Sequence, residues 1–417
     1  MQLLITLTAL AAAFLPLNVI AAPTPGANPL DVYPSPVGRA SGNLSSSYII
    51  VLREDTDESV FESHRSWVTN IHKNRLTRRD DPALTGWTTK YVFGKFKGYA
   101  GDFDQTTIEK IRMSPEVDFV EENKEMTTFS VVSQSNAPSW GLPRISHSSN
   151  SELRTYYYDS TAGAGVTAYI IDTGININHQ EFGGRASWGF NNADRINSDL
   201  NGHGSHVSGI VAGATFGVAK KARLVAVKVM GKDGTGTNAK IIGGIQWVVA
   251  DAKKNGRSAK SVANMSLGGS FSTAVNRAVE AAVNSGITFV VAAGNSNTDA
   301  SNTSPASAGS AITVGSTDNT DTRSKFSNYG RFVDVFAPGT DIVSAWMGST
   351  TASHKLSGTS MASPHVAGLA ATIMSAEGIS GSAAVTTRIF RLAIANKGRV
   401  KNANGNNSWL IYNNSGK

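Results

Sequence analysis

The chain has 417 residues, 40% of them hydrophobic and 17% charged, which is typical of a globular protein and excludes a fibrous or largely disordered one. It contains no cysteine, which excludes disulfide bridges, a thiol nucleophile and a cysteine-ligated metal. The formal net charge of +7 is scattered rather than gathered in a dense basic tract, so we expect no nucleic-acid partner.

Residues 1–21 are predicted to form a secretory signal. An apolar stretch from Leu3 to Leu15 leads to Pro16 and to the small residues Ala21 and Ala22, near which we expect cleavage. The stretch lacks the usual basic residue before its apolar core. A membrane anchor is the alternative, but the stretch is short and interrupted. We therefore expect a secreted, extracellular protein without a membrane anchor.

Three regions are predicted between the signal and the large domain. Residues 23–46 are rich in Pro, Gly, Ser and Asn, as linkers are. A small α+β module follows over about 47–126, and the polar segment at 127–138 is predicted to be a flexible connection. The predicted elements of the module are strands at Tyr48–Leu52 and Val117–Val120 and helices near 57–76 and 105–113.

Residues 130–417 alternate between apolar strands and amphipathic helices, which predicts an α/β fold with a mainly parallel sheet. The strand-like runs are almost continuously apolar, as a sheet covered on both faces requires. The predicted strands are Val166–Ile171, Arg223–Val229, Val262–Met265, Ile287–Ala292 and Ala311–Val314, and the predicted helices are 240–254 and 273–284.

Polar and glycine-rich segments follow several of these strands directly. Asp172 follows the first strand, Ser266–Gly269 follows a middle one, and Ala293–Asn295 follows another. Open parallel sheets bind their ligands outside the carboxyl ends of the strands. The positions therefore predict a site at this edge.

The same edge has one candidate set for nucleophilic catalysis by a hydroxyl, which needs a base and an orienting partner. Asp172 lies in Ile-Asp-Thr-Gly, and His203 lies in Asn-Gly-His-Gly-Ser-His-Val-Ser-Gly, where a helical pattern begins. Ser360 lies in Ser-Gly-Thr-Ser-Met-Ala-Ser-Pro-His-Val-Ala-Gly, whose Pro is tolerated in a first helical turn. Backbone N–H groups at such a helix start favour developing negative charge.

These motifs, in this order, resemble the subtilisin family of serine peptidases, most closely its proteinase K-like branch of fungal secreted enzymes. The resemblance covers about 133–400, and 48–126 resembles the inhibitor I9-type propeptide of such enzymes. It implies a subtilisin-like three-layer fold and a secreted serine endopeptidase made as a zymogen. Residues 22–129 would be the propeptide, which acts as intramolecular chaperone and inhibitor, and 130–417 the peptidase domain. We expect a monomer acting on polypeptides.

The resemblance also implies a role for each motif. Ser360 attacks the scissile carbonyl, His203 takes and later returns the proton, and Asp172 orients His203. Asn295 supplies a side-chain donor to the oxyanion hole, with the Ser360 N–H as the second donor.

Purely structural interpretations of these residues also remain. Asp172 also fits a turn residue before Gly174, and Asn295 fits a residue that caps a loop. His203 and His206 have the spacing of a zinc pair, but no third ligand is near, and His206 and His365 are interpreted as structural. The Gly-x-Ser-x-Gly elbow of α/β-hydrolases is not matched, because Ala362 stands at the second Gly.

The resemblance implies that the substrate is held as an extended strand between two glycine-containing segments, Gly234–Thr237 and Ser266–Gly269. The resemblance also implies that Ala292, Ala293, Gly294 and Ala300 line the primary specificity pocket. Such a lining of small uncharged residues predicts broad specificity favouring aromatic or large aliphatic P1 residues, with Asp299 beside it as a modifier. The Gly234 segment also fits a simple turn. The predicted substrate-binding residues are Gly234, Thr235, Gly236, Ser266, Leu267, Gly268, Ala292, Ala293, Gly294 and Ala300.

No cofactor is expected for catalysis, but the resemblance implies a structural calcium ion. Its ligands would be the Asp334 carboxylate and the carbonyls of Gly309 and Ala311, since hard cations prefer oxygen. A surface Asp334 without metal is the alternative.

Activation is expected by self-cleavage after Phe129, giving a mature start at Ser130. The basic pair Arg78-Arg79 lies inside the module, and no basic pair occurs at 120–140 for a processing enzyme to read. Asn43, Asn302, Asn406 and Asn413 are candidate glycosylation sites, and Asn264, within a strand, is expected to be unused.

Two other functions stay open from the sequence. One is a binding or adhesion protein with an inactive site, although the triad and oxyanion residues are all present. The other is an esterase or lipase, which would need a lid and the elbow motif.

Overall fold

The computed structural model describes residues 47–76, 86–123, 131–405 and 407–417. These fall into two compact units, one within 47–123 and one within 131–417. The predicted signal, linker and cleavage position lie outside the described residues.

The small unit is an antiparallel sheet with two helices, in the chain order strand–helix–strand–strand–helix–strand. Its strands are ordered β2-β3-β1-β4 in the sheet. The strands of the first strand–helix–strand half, β1 and β2, therefore alternate with those of the second half, β3 and β4. Ile50, Phe61 and Tyr99 are fully buried between sheet and helices. The predicted α+β class is confirmed, but the β2–β3 hairpin was not predicted. Its elements are β1 (Ser47–Leu52), α1 (Glu58–Leu76), β2 (Gly86–Phe93), β3 (Phe96–Asp102), α2 (Gln105–Arg112) and β4 (Val117–Glu122).

The large unit is built on seven strands in the order β15-β14-β12-β10-β7-β9-β8, and all neighbouring pairs are parallel. The predicted parallel α/β sheet is therefore confirmed. The order reverses between β7 and β10, which is where such sheets bind ligands. The seven strands are β7 (Thr167–Asp172), β8 (Ala186–Asn191), β9 (Arg223–Lys228), β10 (Ser261–Met265), β12 (Thr288–Ala292), β14 (Ile312–Thr317) and β15 (Val335–Pro338).

Among the described residues of this unit, three two-stranded ribbons accompany the large sheet, pairing β5 with β6, β11 with β13 and β16 with β17. The first ribbon contradicts, over residues 131–134, the prediction of a flexible connection at 127–138, because Val131 pairs with Asp159 and Gln134 with Tyr156. Residues 127–130 of that segment lie outside the described residues. The ribbons are β5 (Val131–Gln134), β6 (Tyr156–Asp159), β11 (Gly269–Ser270), β13 (Thr303–Ser304), β16 (Ile342–Ala345) and β17 (Ser353–Leu356).

Helices cover both faces of the large sheet. Side chains alternate along β7, so Ile170 packs with α4, α7 and α8 while Ile171 packs with α5 and α6. Two apolar cores result, which is why the strand sequences show no polar alternation. The helices of this unit are α3 (Gly141–Ser146), α4 (His203–Ala212), α5 (Asn238–Lys254), α6 (Thr273–Asn284), α7 (Thr359–Ala376) and α8 (Ser382–Asn396).

Two isoleucines of α8 test this core directly. Ile389 is fully buried, whereas Ile394 is 49% exposed on the same helix. We expect Ile389→Ala to lower the free energy of unfolding by about 2–5 kcal/mol, because it removes buried apolar surface and leaves a cavity. Ile394→Ala should change it by less than about 0.5 kcal/mol. Urea denaturation measures both, and equal losses would contradict the packing.

Candidate active site

A carboxylate and an imidazole meet at the end of β7. Asp172 is the last residue of the strand and fully buried, and His203 is the first residue of α4. His203 Nδ1 lies 2.8 Å from Asp172 Oδ1 and 3.0 Å from Oδ2. Because a carboxylate only accepts, Nδ1 must donate, which leaves Nε2 of the neutral ring unprotonated. The pair therefore presents a base toward solvent, with the His203 side chain 25% exposed.

The surroundings of His203 strengthen that base. Burial acts to lower the pKa of the imidazole, but the charge and hydrogen bond of Asp172 raise it, and the charge of Asp199 adds to them. The net result is a His203 pKa above its ordinary value.

Ser360 is the second residue of α7, after Gly358 as N-cap. Its hydroxyl donates to the Ser266 carbonyl at 3.2 Å, and its own carbonyl accepts from the Ser266 hydroxyl at 2.7 Å. No hydrogen bond between described residues joins Ser360 to His203. Catalytic hydrogen bonds are often loose without substrate and tighten in its complex, so this geometry leaves Ser360 a candidate nucleophile.

A buried polar chain lies behind Ser360 that the sequence analysis did not identify. Asn264 Nδ2 donates to the Ser266 hydroxyl at 2.9 Å, and Asn264 Oδ1 accepts from the Ser363 hydroxyl at 2.8 Å. Asn264 is 1% exposed, and Ser363 is fully buried. The chain ties β10 to the first turn of α7. The available signal was a lone asparagine in an apolar strand. Its burial also leaves no room for a glycan at this sequon, as expected.

Asn295 has a fixed orientation beside the start of α7. Its Oδ1 accepts from the Thr359 N–H and hydroxyl, each at 2.8 Å. Nδ2 makes no hydrogen bond among the described residues. It lies close to the backbone just before Ser360, because a Cβ built on Gly358 would be 3.4 Å from it. The amide therefore offers a free donor next to Ser360.

A cleft of about 510 Å³ opens beside Ser360 and Asn295. Its lining contains no charged side chain, and four predicted substrate-binding residues belong to it, Leu267, Gly268, Ala292 and Gly294. The remaining lining residues are Gly269, Ser270, Ser296, Thr298, Asn302, Thr303, Asn328, Thr359, Asn295 and Ser360.

Other predicted binding residues lie elsewhere. Ala293 and Ala300 were predicted to line the cleft, but both are fully buried and pack in an apolar cluster with Phe336. Their methyl groups therefore do not belong to the cleft lining. Ser266 is 3% exposed behind it. The segment Gly234, Thr235 and Gly236 forms a largely exposed loop after β9 and is not part of the lining.

Asp299 does not face the cleft. Its carboxylate accepts from the Ser301 N–H at 2.8 Å, and this turn, aided by the Ser301 hydroxyl, lowers its pKa. A Cβ on Gly330 would come 2.4 Å from Asp299 Oδ2, so the carboxylate fills the space left by that glycine. Its predicted influence on specificity has no support in this contact.

Asn328 organises the cleft wall and was also missed. It is 1% exposed, its Nδ2 donates to the Ala293 carbonyl at 2.9 Å, and its Oδ1 accepts from Ser296 N and Thr298 N at 3.0 and 3.1 Å. Gly294 has a φ of 106°, and a Cβ there would lie 2.4 Å from Asn328 Nδ2. Only glycine suits both constraints.

His206 and His365 are packed side chains, as expected. His206 Nε2 lies 3.2 and 3.0 Å from the carbonyls of Ile342 and His354, and burial lowers its pKa to about 3. Burial lowers the pKa of His365 to about 4. Among the described residues, no group of three or more His, Asp or Glu side chains is placed to hold a metal ion, which leaves the zinc alternative without support.

Asp334 lies at the opposite edge of the sheet, just before β15. Its Oδ2 accepts from the Thr313 N–H at 2.9 Å, and burial raises its pKa to about 6. Gly309 and Ala311 lie just before β14, which pairs with β15. A mostly buried carboxylate with one oxygen in no described hydrogen bond, next to a turn with backbone carbonyls, fits a hard cation such as calcium.

The remaining predicted sites are distributed as follows. Phe129, Ser130, Asn43 and Asn406 lie outside the described residues. Asn302 is exposed and lines the cleft, so a glycan there would stand in its opening. Asn413 is half-buried, and its Nδ2 donates to the Tyr157 carbonyl at 2.6 Å.

Comparison with known proteins identifies the family. The model of the subtilase family matches residues 163–408, and that of the peptidase inhibitor I9 family matches residues 47–129. "Subtilisin-like protease 1" of Trichophyton verrucosum is 50% identical over 341 residues, 82% of this chain and 85% of its own length.

The chain belongs to the subtilase family. The protein of the same name from Arthroderma gypseum is 50% identical over 353 residues, 84% of this chain and 73% of that protein. The crystal structure of a cold-adapted subtilisin-like serine proteinase aligns with a TM-score of 0.62 and 45% identity, covering 67% of this chain and 99% of the other.

The subtilase is thus a serine endopeptidase with a subtilisin-like fold and an inhibitor-type propeptide, which is the organisation of a zymogen. In the parts of the chain that the structure describes, none of the helices combines the length and apolar character needed to cross a membrane.

Proposed function

We propose that Ser360 is the nucleophile of this serine endopeptidase, His203 its general base and acid, and Asp172 the carboxylate that orients His203. The observation that carries the proposal is the contact of His203 Nδ1 with both Asp172 oxygens, at 2.8 and 3.0 Å. That contact leaves Nε2 as the base, on a histidine side chain that is 25% exposed beside a fully buried carboxylate. The family membership supports the same assignment.

The proposed reaction uses these groups in sequence. Ser360 Oγ attacks the scissile carbonyl carbon as His203 Nε2 takes its proton, and Asp172 stabilises the imidazolium that forms. Asn295 Nδ2 and the Ser360 N–H donate to the oxyanion of the tetrahedral intermediate. The C–N bond then breaks, and Nε2 gives its proton to the leaving amine. Water repeats the sequence on the acyl-enzyme and releases the second product.

We propose that the protein is secreted through the signal at 1–21 and matures by cutting itself after Phe129. The inhibitor-type module at 47–129 supports a precursor held inactive until it is cut. The absence of a basic pair at the junction favours self-cleavage over a processing enzyme. Glycosylation at Asn43, Asn302, Asn406 and Asn413 stays a prediction.

Self-maturation is tested by the intact mass of the secreted protein. Ser360→Ala should remain a full precursor, because losing the nucleophile of a subtilase costs about 10⁶-fold in kcat, a magnitude measured in another family member. Ser375→Ala is the matched control, since Ser375 lies near the other end of the same helix and its hydroxyl oxygen accepts from Gly163 N at 2.9 Å. The control should mature to a start near residue 130.

The outcomes separate clearly. Processing of Ser360→Ala when it is expressed alone would mean that another protease matures the chain. Failure of both variants and of the natural chain to mature would favour the inactive binding protein.

The cleft supports a preference for uncharged P1 residues. It is lined by Leu267, Ala292, three glycines and neutral polar side chains, so an Arg or Lys side chain would find no counter-charge. Burying an unpaired charge costs several kcal/mol, whereas an apolar side chain gains from desolvation.

Digestion of a peptide library measures this preference. We expect cleavage after aromatic and large aliphatic residues over Lys and Arg by about tenfold or more, since 1.4 kcal/mol already gives a factor of ten. A majority of cuts after Lys or Arg would overturn the assignment of this cleft to P1.

We propose that Asp334, with the carbonyls of Gly309 and Ala311, holds a structural calcium ion. Bound there, the ion would neutralise a buried carboxylate. It would act on stability alone, because β14 and β15 begin at the edge of the sheet away from the triad.

Calcium should raise the melting temperature of the inhibited enzyme, corresponding to about 2.7 kcal/mol when free calcium is 100 times Kd. Asp334→Asn should lose this response, whereas Asp341→Asn, which changes an exposed aspartate, should keep it. An unchanged response in Asp334→Asn would place the ion elsewhere, and no response in the natural chain would favour a metal-free Asp334.

A further inference from the structure

Asp199 is a buried carboxylate that the proposed mechanism does not use. It is 3% exposed and accepts five hydrogen bonds. Its Oδ1 accepts from the Thr173 hydroxyl at 2.9 Å, from Asn201 N at 3.1 Å and from Gly202 N at 2.8 Å. Its Oδ2 accepts from the Ser205 N–H at 2.9 Å and the Ser205 hydroxyl at 2.7 Å. The carboxylate is therefore fully committed to nearby backbone and hydroxyl donors.

Two of these donors lie next in sequence to Asp172 and His203, the proposed catalytic pair. Thr173 directly follows Asp172, and Gly202 directly precedes His203. The Thr173 hydroxyl also accepts from Gly204 N at 2.9 Å, on the other side of His203. Thr173 therefore bonds Gly204 directly and is linked to Gly202 through Asp199. The residue after Asp172 is thus joined to both neighbours of His203.

The two segments are in close backbone contact. A Cβ on Gly204 would lie 2.1 Å from the Gly174 carbonyl oxygen, and Asn176 N donates to the Ser205 hydroxyl at 2.8 Å. With so little free space, the separation of Asp172 and His203 depends on the hydrogen bonds that hold the start of α4 against the end of β7.

The loop that leads to Asp199 is held by a buried lysine. Lys228 is fully buried, and its Nζ donates to Asp194 Oδ2 at 2.8 Å and to the carbonyls of Ile196 and Ser198 at 3.0 and 2.9 Å. Lys228 pairs in register with Asp172 across β7 and β9. The ammonium therefore fixes the loop that carries Asp199 to the strand beside the acid.

We propose that Asp199 is a positioning residue that sets the geometry of the Asp172–His203 pair and adds a fixed negative charge beside the base. The inference rests on the proposed function, because it assigns a task only if His203 is the base.

The five donors explain why a carboxylate is needed. Every group that bonds Asp199 is an N–H or O–H donor. In an asparagine at this position, the amide NH₂ would replace one of the two carboxylate oxygens and would face a donor whichever oxygen it replaced. The carboxylate also bonds N–H groups of the first turn of α4, where the helix dipole is positive and disfavours an imidazolium.

The charge has a predictable effect on His203. Asp172 and Asp199 both raise its pKa against the effect of burial, and His206 on the same helix is neutral near pH 7, because burial lowers its pKa to about 3. Removing the charge of Asp199 should therefore lower the His203 pKa and move the acid limb of kcat/KM to lower pH.

The test compares Asp199→Asn with Asp321→Asn in the mature enzyme expressed as the full precursor. Asp321 is a matched carboxylate that accepts from Arg144 Nε and Nη2 at 2.7 and 3.1 Å. We expect Asp199→Asn to lower kcat by about 10- to 100-fold, as small misplacements of catalytic groups do, and to shift the acid limb downward. KM should change by less than about threefold. Asp321→Asn should lose thermal stability with kcat and the acid limb unchanged.

A second pair of variants covers the case in which Asp199→Asn does not fold. Thr173→Val removes the bridging hydroxyl at similar volume, and Thr173→Ser retains it. We expect kcat to fall in Thr173→Val and to be restored in Thr173→Ser.

The outcomes distinguish the proposed positioning function of Asp199 from the proposed catalytic function of the site. An Asp199→Asn enzyme with the kcat and acid limb of the Asp321→Asn control would overturn the inference and leave Asp199 a structural residue. Equal kcat in Thr173→Val and Thr173→Ser would do the same. If the unmutated enzyme has no peptidase activity, the proposed function fails instead.

Discussion

Three adjacent parallel strands, β12, β10 and β7, end at the same edge of a sheet that is buried on both faces. Such strands admit few polar groups along their length, so the polar groups that follow them collect at the edge. Asp172, Ser266 and Asn295 come together in this way although they are distant in sequence. The starts of α4 and α7 add His203 and Ser360 at that edge. The remaining features of the site depend on this convergence.

The reactive groups are held by buried hydrogen bonds rather than by exposed loops. Thr359 fixes the Asn295 amide, the Asn264–Ser363 chain holds the turn of Ser360, and Asn328 holds the cleft wall. Buried polar networks stabilise only when nearly all their members are paired, and then they rigidify the structure. Donors fixed before substrate arrives need no reorganisation when charge develops, which is the main physical source of catalysis in such sites.

The sequence predicted what local patterns and family motifs encode. The five central strands, helices α5 and α6 and the positions of Asp172, His203 and Ser360 at element ends follow from apolar runs and short motifs. The edge strands β8 and β15 and helix α8 were not predicted. The sequence also missed features that depend on distant contacts. Residues 131–134 looked like a polar linker because their partner strand, β6, begins some twenty residues later. Ala293 looked like a cleft residue, but its methyl group points into an apolar cluster with Phe336. Asn328 had no motif, because its function is to bond backbone groups of another loop.

We propose that the His203–Asp172 pair activates Ser360. Reaction of the mature enzyme with phenylmethylsulfonyl fluoride, followed by intact mass and peptide mapping, tests this activation most directly. If Ser360 is the activated nucleophile, the mature enzyme takes up one sulfonyl group per chain, on Ser360, and loses peptidase activity in proportion to labelling. An adduct on another residue, or full activity in the labelled protein, would contradict it.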